Sequence, residues 1–320
     1  MKPLFLALLT LCAPCLPQVW AQPLGVQTFA PDAALKDQFR LKFERFGMPA
    51  VAVGTDIYVI GGYVRTGLSA SIERIDTKTD TVSPVSAEIL PRGFHTAEAI
   101  GDAIYIFGGA ARDEGFVDFS DKVERFDTLT QKVTLVASLP DFIRIPASVA
   151  VGDKIYIVGG SNYADKRLNS LWIYDSQTNK WAPGAPMHVA REGDVIAVGG
   201  TIYAFGGFDG TNAITDCEAY DIASNTWHDL PPLPIKTSAN HFAQFGDSIW
   251  SFGDYTDMNR VQRFDLKTQT WQPLNATGFD ARRHMAVCSV GDKIYVIGGN
   301  IASGGSYLDE VQVFDATKLK

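Results

Sequence analysis

Six runs of mostly apolar residues ending in glycine punctuate the chain. They read IYVIGG (57–62), IYIFGG (104–109), IYIVGG (155–160), IYAFGG (202–207), IWSFGD (249–254) and IYVIGG (294–299). Their starts lie 47, 51, 47, 47 and 45 residues apart. Behind each run comes a second marker, an apolar or aromatic residue followed by aspartate: RID (74–76), RFD (125–127), IYD (173–175), AYD (219–221), RFD (263–265) and VFD (313–315). Six residues past the first five of these aspartates stands a large apolar residue: Val82, Val133, Trp181, Trp227 and Trp271. A fixed period of this size is the signature of a repeat architecture.

Each repeat divides into four short strands. The first is small and apolar, as in Ala50 to Val53 or Val195 to Val198. A tight Gly-containing turn leads to the second, whose run has apolar residues on both faces, so both must be covered. The third ends at the apolar–Asp pair, and the fourth carries the Trp. Such a sheet can bury both faces only against copies of itself, and a closed ring leaves no uncovered end. The double glycine suits a sharp exit from the second strand, where φ > 0 is free of a Cβ penalty. Asp254 replaces the second glycine in repeat five, and Asp is among the residues that tolerate that conformation.

The pattern resembles the kelch repeat over about residues 45–320. The resemblance implies an all-β fold, a six-bladed kelch-type β-propeller with four antiparallel strands per blade. It implies little about activity, because propellers of this kind serve more often as binding modules than as enzymes.

The last marker aspartate is Asp315, and the chain stops at Lys320, before a fourth strand. Residues 22–44 belong to no repeat, so a strand from this segment is expected to complete blade six and close the ring. Val26 to Phe29 and Phe39 to Phe43 are the two candidates. The second alternates Phe39, Leu41 and Phe43 with Arg40 and Lys42, as a half-buried strand does. Ahead of it, residues 1–21 combine Lys2, an apolar run from Leu4 to Leu16 and Val19-Trp20-Ala21. That is the pattern of a secretory signal peptide cut after Ala21, and it implies a secreted or periplasmic protein. No run is long enough to span a membrane as a helix.

Composition narrows the partners. The 320 residues are 46% hydrophobic and 20% charged, so disorder is excluded. With 28 Lys and Arg against 36 Asp and Glu, the formal net charge is -8, which argues against nucleic acid. No phosphate-binding loop, nucleophile elbow or calcium loop is present, and no cofactor is expected. Asn275-Ala276-Thr277 is a glycosylation sequon.

The repeats also serve as their own alignment. Arg45, Arg92, Arg144, Arg191 and Arg282 precede the first strand in five blades, and blade five has Lys236-Thr237. Two readings stand: a basic ring that captures an anionic ligand through forked donors, or a repeated scaffold contact. After the glycine pairs the residue varies: Tyr63, Ala110, Ser161, Phe208, Tyr255 and Asn300. Tyr63, Phe208, Tyr255 and Asn300 are candidate ligand contacts on loops that the kelch resemblance puts on the same face as the arginines. Glu98 replaces an apolar residue of the innermost strand, Asp254 replaces a glycine, and Gln244 replaces Ala or Ser. A carboxylate near arginines is a candidate general base, so Glu98 and Asp254 are the catalytic candidates; a structural ion pair is the other reading. His95, His241 and His284 sit near first strands of blades two, five and six, too dispersed for a metal site. Cys217 and Cys288 come from blades that do not touch, and read as buried free thiols.

These features fit an exported module that binds a ligand or a protein at the central opening. There is also a resemblance to the exported N-acetylneuraminate epimerases (sialic-acid mutarotases). It implies an anionic sugar held by arginine, with Glu98 beside Arg92 or Arg144, or Asp254 beside Arg282, moving the proton. A weaker resemblance to galactose oxidase founders on blade number and on the lack of its ligand set.

Overall fold

The computed structural model describes residues 27–28, 34–113, 116–275, 278–301 and 306–319. The expected leader, with Cys12 and Cys15, lies outside them, as do Ala276 and Thr277 of the sequon. Among the described residues no helix is long and apolar enough to cross a membrane.

Each repeat contributes its own strands, in sequence order and antiparallel, to one main sheet. Sheet one comprises Ala50–Val53, Asp56–Ile60, Ser71–Asp76 and Thr81–Glu88. The first strands of sheets two to six are Thr96–Ile100, Ala147–Val151, Val195–Val198, His241–Phe245 and Ala286–Val290. These six strands touch in sequence around a ring, and the sixth returns to the first.

The doubly apolar second strands explain why the ring forms. Ile57, Ile104, Ile155, Ile202, Ile249 and Ile294 have no exposed surface. The core is not one mass but six clusters, one between each neighbouring pair of sheets, including sheets six and one. Each buried Ile contributes about 1.5–3 kcal/mol, and only a neighbouring sheet can provide that burial.

The marker aspartates make the outer turns. Asp76 Oδ1 accepts from the backbone N–H of Lys78 at 2.9 Å, and Asp265 Oδ1 from Lys267 and Thr268 at 3.0 and 2.8 Å. These hydrogen bonds hold both carboxyls below the usual carboxylate range. Two of the three repeat tryptophans act as latches: Trp227 Nε1 donates to Ala185 O at 2.8 Å, and Trp271 Nε1 to Pro231 O at 3.1 Å.

The double glycine is required twice over. Gly108 and Gly109 have φ of 64° and 84°. A Cβ on Gly108 would lie 2.6 Å from Ile143 O, where the next sheet's entry segment crosses, and one on Gly109 2.6 Å from His95 Cβ, in the entry segment of its own sheet. Asp254 departs from expectation. Its φ is not positive, and of the Gly253–Asp254 pair only Gly253 keeps the left-handed conformation.

Ala34–Arg40 is the fourth strand of sheet six, antiparallel to Glu310–Asp315, with an irregularity between Leu35 and Phe39. The closing strand therefore starts five residues before the Phe39 to Phe43 candidate and ends at Arg40. Leu41 is buried in the core between sheets six and one, whereas Phe43 is 56% exposed, against its expected inward alternation. Of the other candidate, Val26 and Phe29 fall outside the described residues. Gln27–Thr28 pairs in parallel with Leu274 and Asn275 as a fifth strand of sheet five.

Candidate functional site

The ring encloses a cavity of about 1130 Å³, walled by the six first strands and the segments that lead into them. Those entry segments share a feature that side-chain patterning does not show. Gly47, Phe94, Ile145, Ala239 and His284 all have φ between 50° and 61°. For residues with a Cβ this conformation costs about 1–2 kcal/mol each. It is held by backbone bonds between sheets: Gly47 N to His284 O at 2.8 Å, Phe94 N to Gly47 O at 2.7 Å and Ile145 N to Phe94 O at 3.0 Å. The result is a stiff rim that turns these side chains toward the mouth.

The arginines do not serve that mouth. Arg45, Arg92 and Arg282 have no exposed surface, Arg191 is nearly as buried, and none lines the cavity. Arg45 Nη1 donates to Gly61 O at 2.9 Å and Nη2 to Glu73 Oε1 at 2.5 Å. Arg92 meets Gly108 O and Glu124, Arg191 meets Gly206 O and Glu218, and Arg282 meets Gly298 O and Glu310. The buried guanidinium secures the glycine corner to the third strand of its own sheet. This corrects the expectation of a basic ring. Arg144 occupies a different place: it stands one residue late, with Ile143 in the buried position, and it pairs on the surface with Asp165 at 3.1 Å.

The position varies in concert with its partner. Sheet three has Ile143 with Trp172 in the same apolar cluster, and in sheet five Gln262 Nε2 donates to Thr237 Oγ1 at 3.0 Å. The expected proton-moving pairs are not formed. Arg92 is committed to Glu124 and Arg282 to Glu310 and Asp280, while Asp254 faces Arg260 at 3.6 Å.

Asp254 lines the cavity but is a loop anchor. It accepts from Ser238 N at 2.9 Å, Thr256 Oγ1 at 2.8 Å and Asp257 N at 3.0 Å. Although burial works against it, these donors hold its carboxyl below the usual range, which does not suit a base at neutral pH. Glu98 is the opposite case. It accepts from Ser148 Oγ at 2.8 Å and Ala150 N at 3.2 Å, and Ser148 in turn bonds Thr96. Burial, with help from the charge on Asp194, pushes Glu98 up to about 8, so it is mostly protonated at neutral pH.

The expected loop residues divide. Tyr255 is 47% exposed, lines the mouth and lies under the Arg283 guanidinium at 3.9 Å. Phe208 lines the cavity with Arg167 above its ring. Tyr63 belongs to an aromatic cluster beside the mouth, stacked on Phe46 at 5.2 Å and tilted against Phe94 at 5.4 Å. Asn300 is buried, its Oδ1 3.0 Å from His284 Nδ1. Gln244, also on the wall, turns its amide back onto Gly246 O at 2.6 Å.

His284 is pushed down to about 4 by burial and is neutral at ordinary pH, and burial likewise lowers His95. Among the described residues one group brings three metal-type ligand atoms together, His188, Glu218 and Asp229, and its Glu218 already holds Arg191. Cys217 and Cys288 are free; Cys288 is half-buried on the cavity wall, and burial raises its thiol to about 12.

Sequence reasoning missed Asp194. It lines the cavity, 3.2 Å from His241 Nδ1 and accepting from Phe242 N at 3.2 Å. A signal was present. Arg191 precedes Val195 by four residues, whereas Arg45 precedes the matching Ala50 by five. The shortened segment lacks the left-handed residue of the other sheets and places an aspartate on the wall.

This architecture defines a kelch-type β-propeller. The KLHDC2/KLHL20/DRC7 Kelch-repeats domain matches residues 41–183 and 94–299, and the Kelch motif matches residues 281–319. The chain belongs to the kelch-repeat family. Among curated proteins it is 32% identical to Kelch-like protein 35 of Mus musculus over 62% of this chain and 35% of that protein. It is 25% identical to Kelch-like protein 25 of Xenopus tropicalis over 79% and 46%, and 27% identical to Kelch domain-containing protein 3 of Bos taurus over 86% and 83%. The chain thus spans about a third to a half of the two Kelch-like proteins. Domains of this family mediate protein interactions.

Proposed function

We propose that this chain is an exported interaction module that docks a protein partner across the mouth of its central cavity. The observation that carries the reading is the rim. Strained, hydrogen-bonded entry segments hold Phe94, Ile145 and His284 at the opening, with Tyr255 and Phe208 beside them. Rigid aromatic anchors over a concave surface are what interface hot spots are made of. The leader pattern of residues 1–21 supports export. The anionic sugar loses its support, since Arg92 and Arg282 are buried in the scaffold and Arg144 pairs on the surface with Asp165.

A photo-crosslinking residue at Tyr255, compared with one at Leu135 on an outer strand, tests the surface. Crosslinks to a partner are expected from position 255 and absent from 135; crosslinking from 135 alone overturns the reading. Recovery of the mature protein from a membrane-enclosed or extracellular fraction, starting at Gln22, tests export.

A further inference from the structure

The cavity wall carries four carboxylates, Glu98, Glu192, Asp194 and Asp254, and one lysine, Lys236. Two of the four are spoken for. Glu192 lies 3.4 Å from Arg167 and 3.6 Å from Arg144, and Asp254 has Arg260 and its loop donors. Glu98 and Asp194 have no arginine or lysine partner among the described residues: Glu98 accepts from Ser148 and Ala150, and Asp194 lies 3.2 Å from His241 Nδ1 and accepts from Phe242 N and Val195 N. They come from sheets two and four, both line the cavity, and the charge on Asp194 helps to raise the Glu98 carboxyl. Asn240, 2% exposed and on the same wall, donates to Ser251 while its Oδ1 has no donor. Above them the rim offers the rings of Phe94, His284 and Tyr255, the first two 5.2 Å apart.

We propose that the cavity receives a basic side chain, the ammonium of a lysine or the guanidinium of an arginine on an extended segment of the partner, and holds it between Asp194 and Glu98. The inference rests on the reading of the mouth as a protein-docking surface. The chemistry is complementary at each level. An ammonium brings three donors to a wall that presents acceptors, and its alkyl stem passes aromatic faces that favour a cation. A cation inside the ring needs anions to offset its lost hydration, and Asp194 with Glu98, once it has given up its proton, supplies them. An acidic guest would meet repulsion from the same groups, and a neutral one would leave them bare.

The arrangement carries a pH signature. Glu98 must give up its proton to pair with the guest, so binding tightens as pH rises toward 8 and levels off above it. The groups around Glu98 are Asp194 with His241 beside it, the Cys288 thiol, and the Ser148 and Thr96 hydroxyls. The first raises the carboxyl and Ser148 lowers it.

Tri-lysine amide is the probe, titrated calorimetrically into the full chain at low salt, with its Nε-acetylated form as the uncharged counterpart. Saturable one-to-one binding of the first and none of the second is expected. Glu98→Gln and Asp194→Asn should each weaken it about tenfold or more. Exposed Asp257→Asn should leave it unchanged. Between about pH 6.5 and about pH 8.5 the wild-type affinity should rise about tenfold, and in Glu98→Gln it should not. Equal binding by wild type, Glu98→Gln and Asp194→Asn would reduce the effect to attraction by the net charge and overturn the proposal. If Asp194→Asn fails to fold, the Glu98→Gln titration decides alone. Crosslinking at position 255 with no charge-dependent tri-lysine binding removes this inference and leaves the docking surface standing.

Discussion

Arg45 and Glu73 face each other at 2.5 Å with no solvent on either side chain. A buried ion pair is costly to assemble and costlier to break, because removing one partner strands the other charge. Arg45→Thr alone should therefore destabilise the fold by about 3–5 kcal/mol. Adding Glu73→Gln reproduces the Thr237–Gln262 solution of sheet five. The double variant should cost well under the sum of the two single ones. Denaturant unfolding of the four proteins checks this; additive losses would mean that the two positions are independent.

Glu98 sets a stability gradient with pH. Its folded value of about 8 lies above the 4.5 of an ordinary glutamate, so the native state holds a proton that the unfolded chain releases. Stability is fully present below 4.5 and declines as pH rises toward 8. Glu98→Gln keeps an acceptor for Ser148 and abolishes the titration. Melting temperatures at pH 5 and pH 8 should diverge in the wild type more than in Glu98→Gln, and parallel profiles would refute the assignment.

Two glycines separate strain from collision. A Cβ on Gly101 meets nothing within 4 Å, whereas one on Gly108 lies 2.6 Å from Ile143 O, and both have φ near 60°. Gly101→Ala should cost about 1–2 kcal/mol, the left-handed penalty alone. Gly108→Ala should cost several times as much or prevent folding, since backbone from the next sheet must move. Thermal melts of the purified variants read the difference.

The fold was legible because its determinants repeat. Isoleucines such as Ile57 and Ile104, with apolar neighbours on both faces, leave one solution, and six copies of that demand state it plainly. The closing strand was placed a few residues off, since Phe43 continues an alternation that the backbone abandons after Leu41. The site was less legible. Arg45 reads the same whether it serves a ligand or a carbonyl, and only the position of Gly61 O and Glu73 separates the two. Asp254 in a glycine position suggested chemistry, yet it ties down its own loop. Asp194 became visible only through the missing residue after Arg191, a deletion that matters because of where the strand then begins.

The pairing of Ala34–Arg40 with Glu310–Asp315 joins the segment ahead of the first repeat to the last repeat in one sheet. During synthesis, five sheets can assemble in order, but the sixth must wait until Glu310–Asp315 has been made. Until then the nascent chain is an open arc with an apolar flank at each end. A delay near the final repeat, or a truncation there, exposes both flanks at once and invites one molecule to close on another.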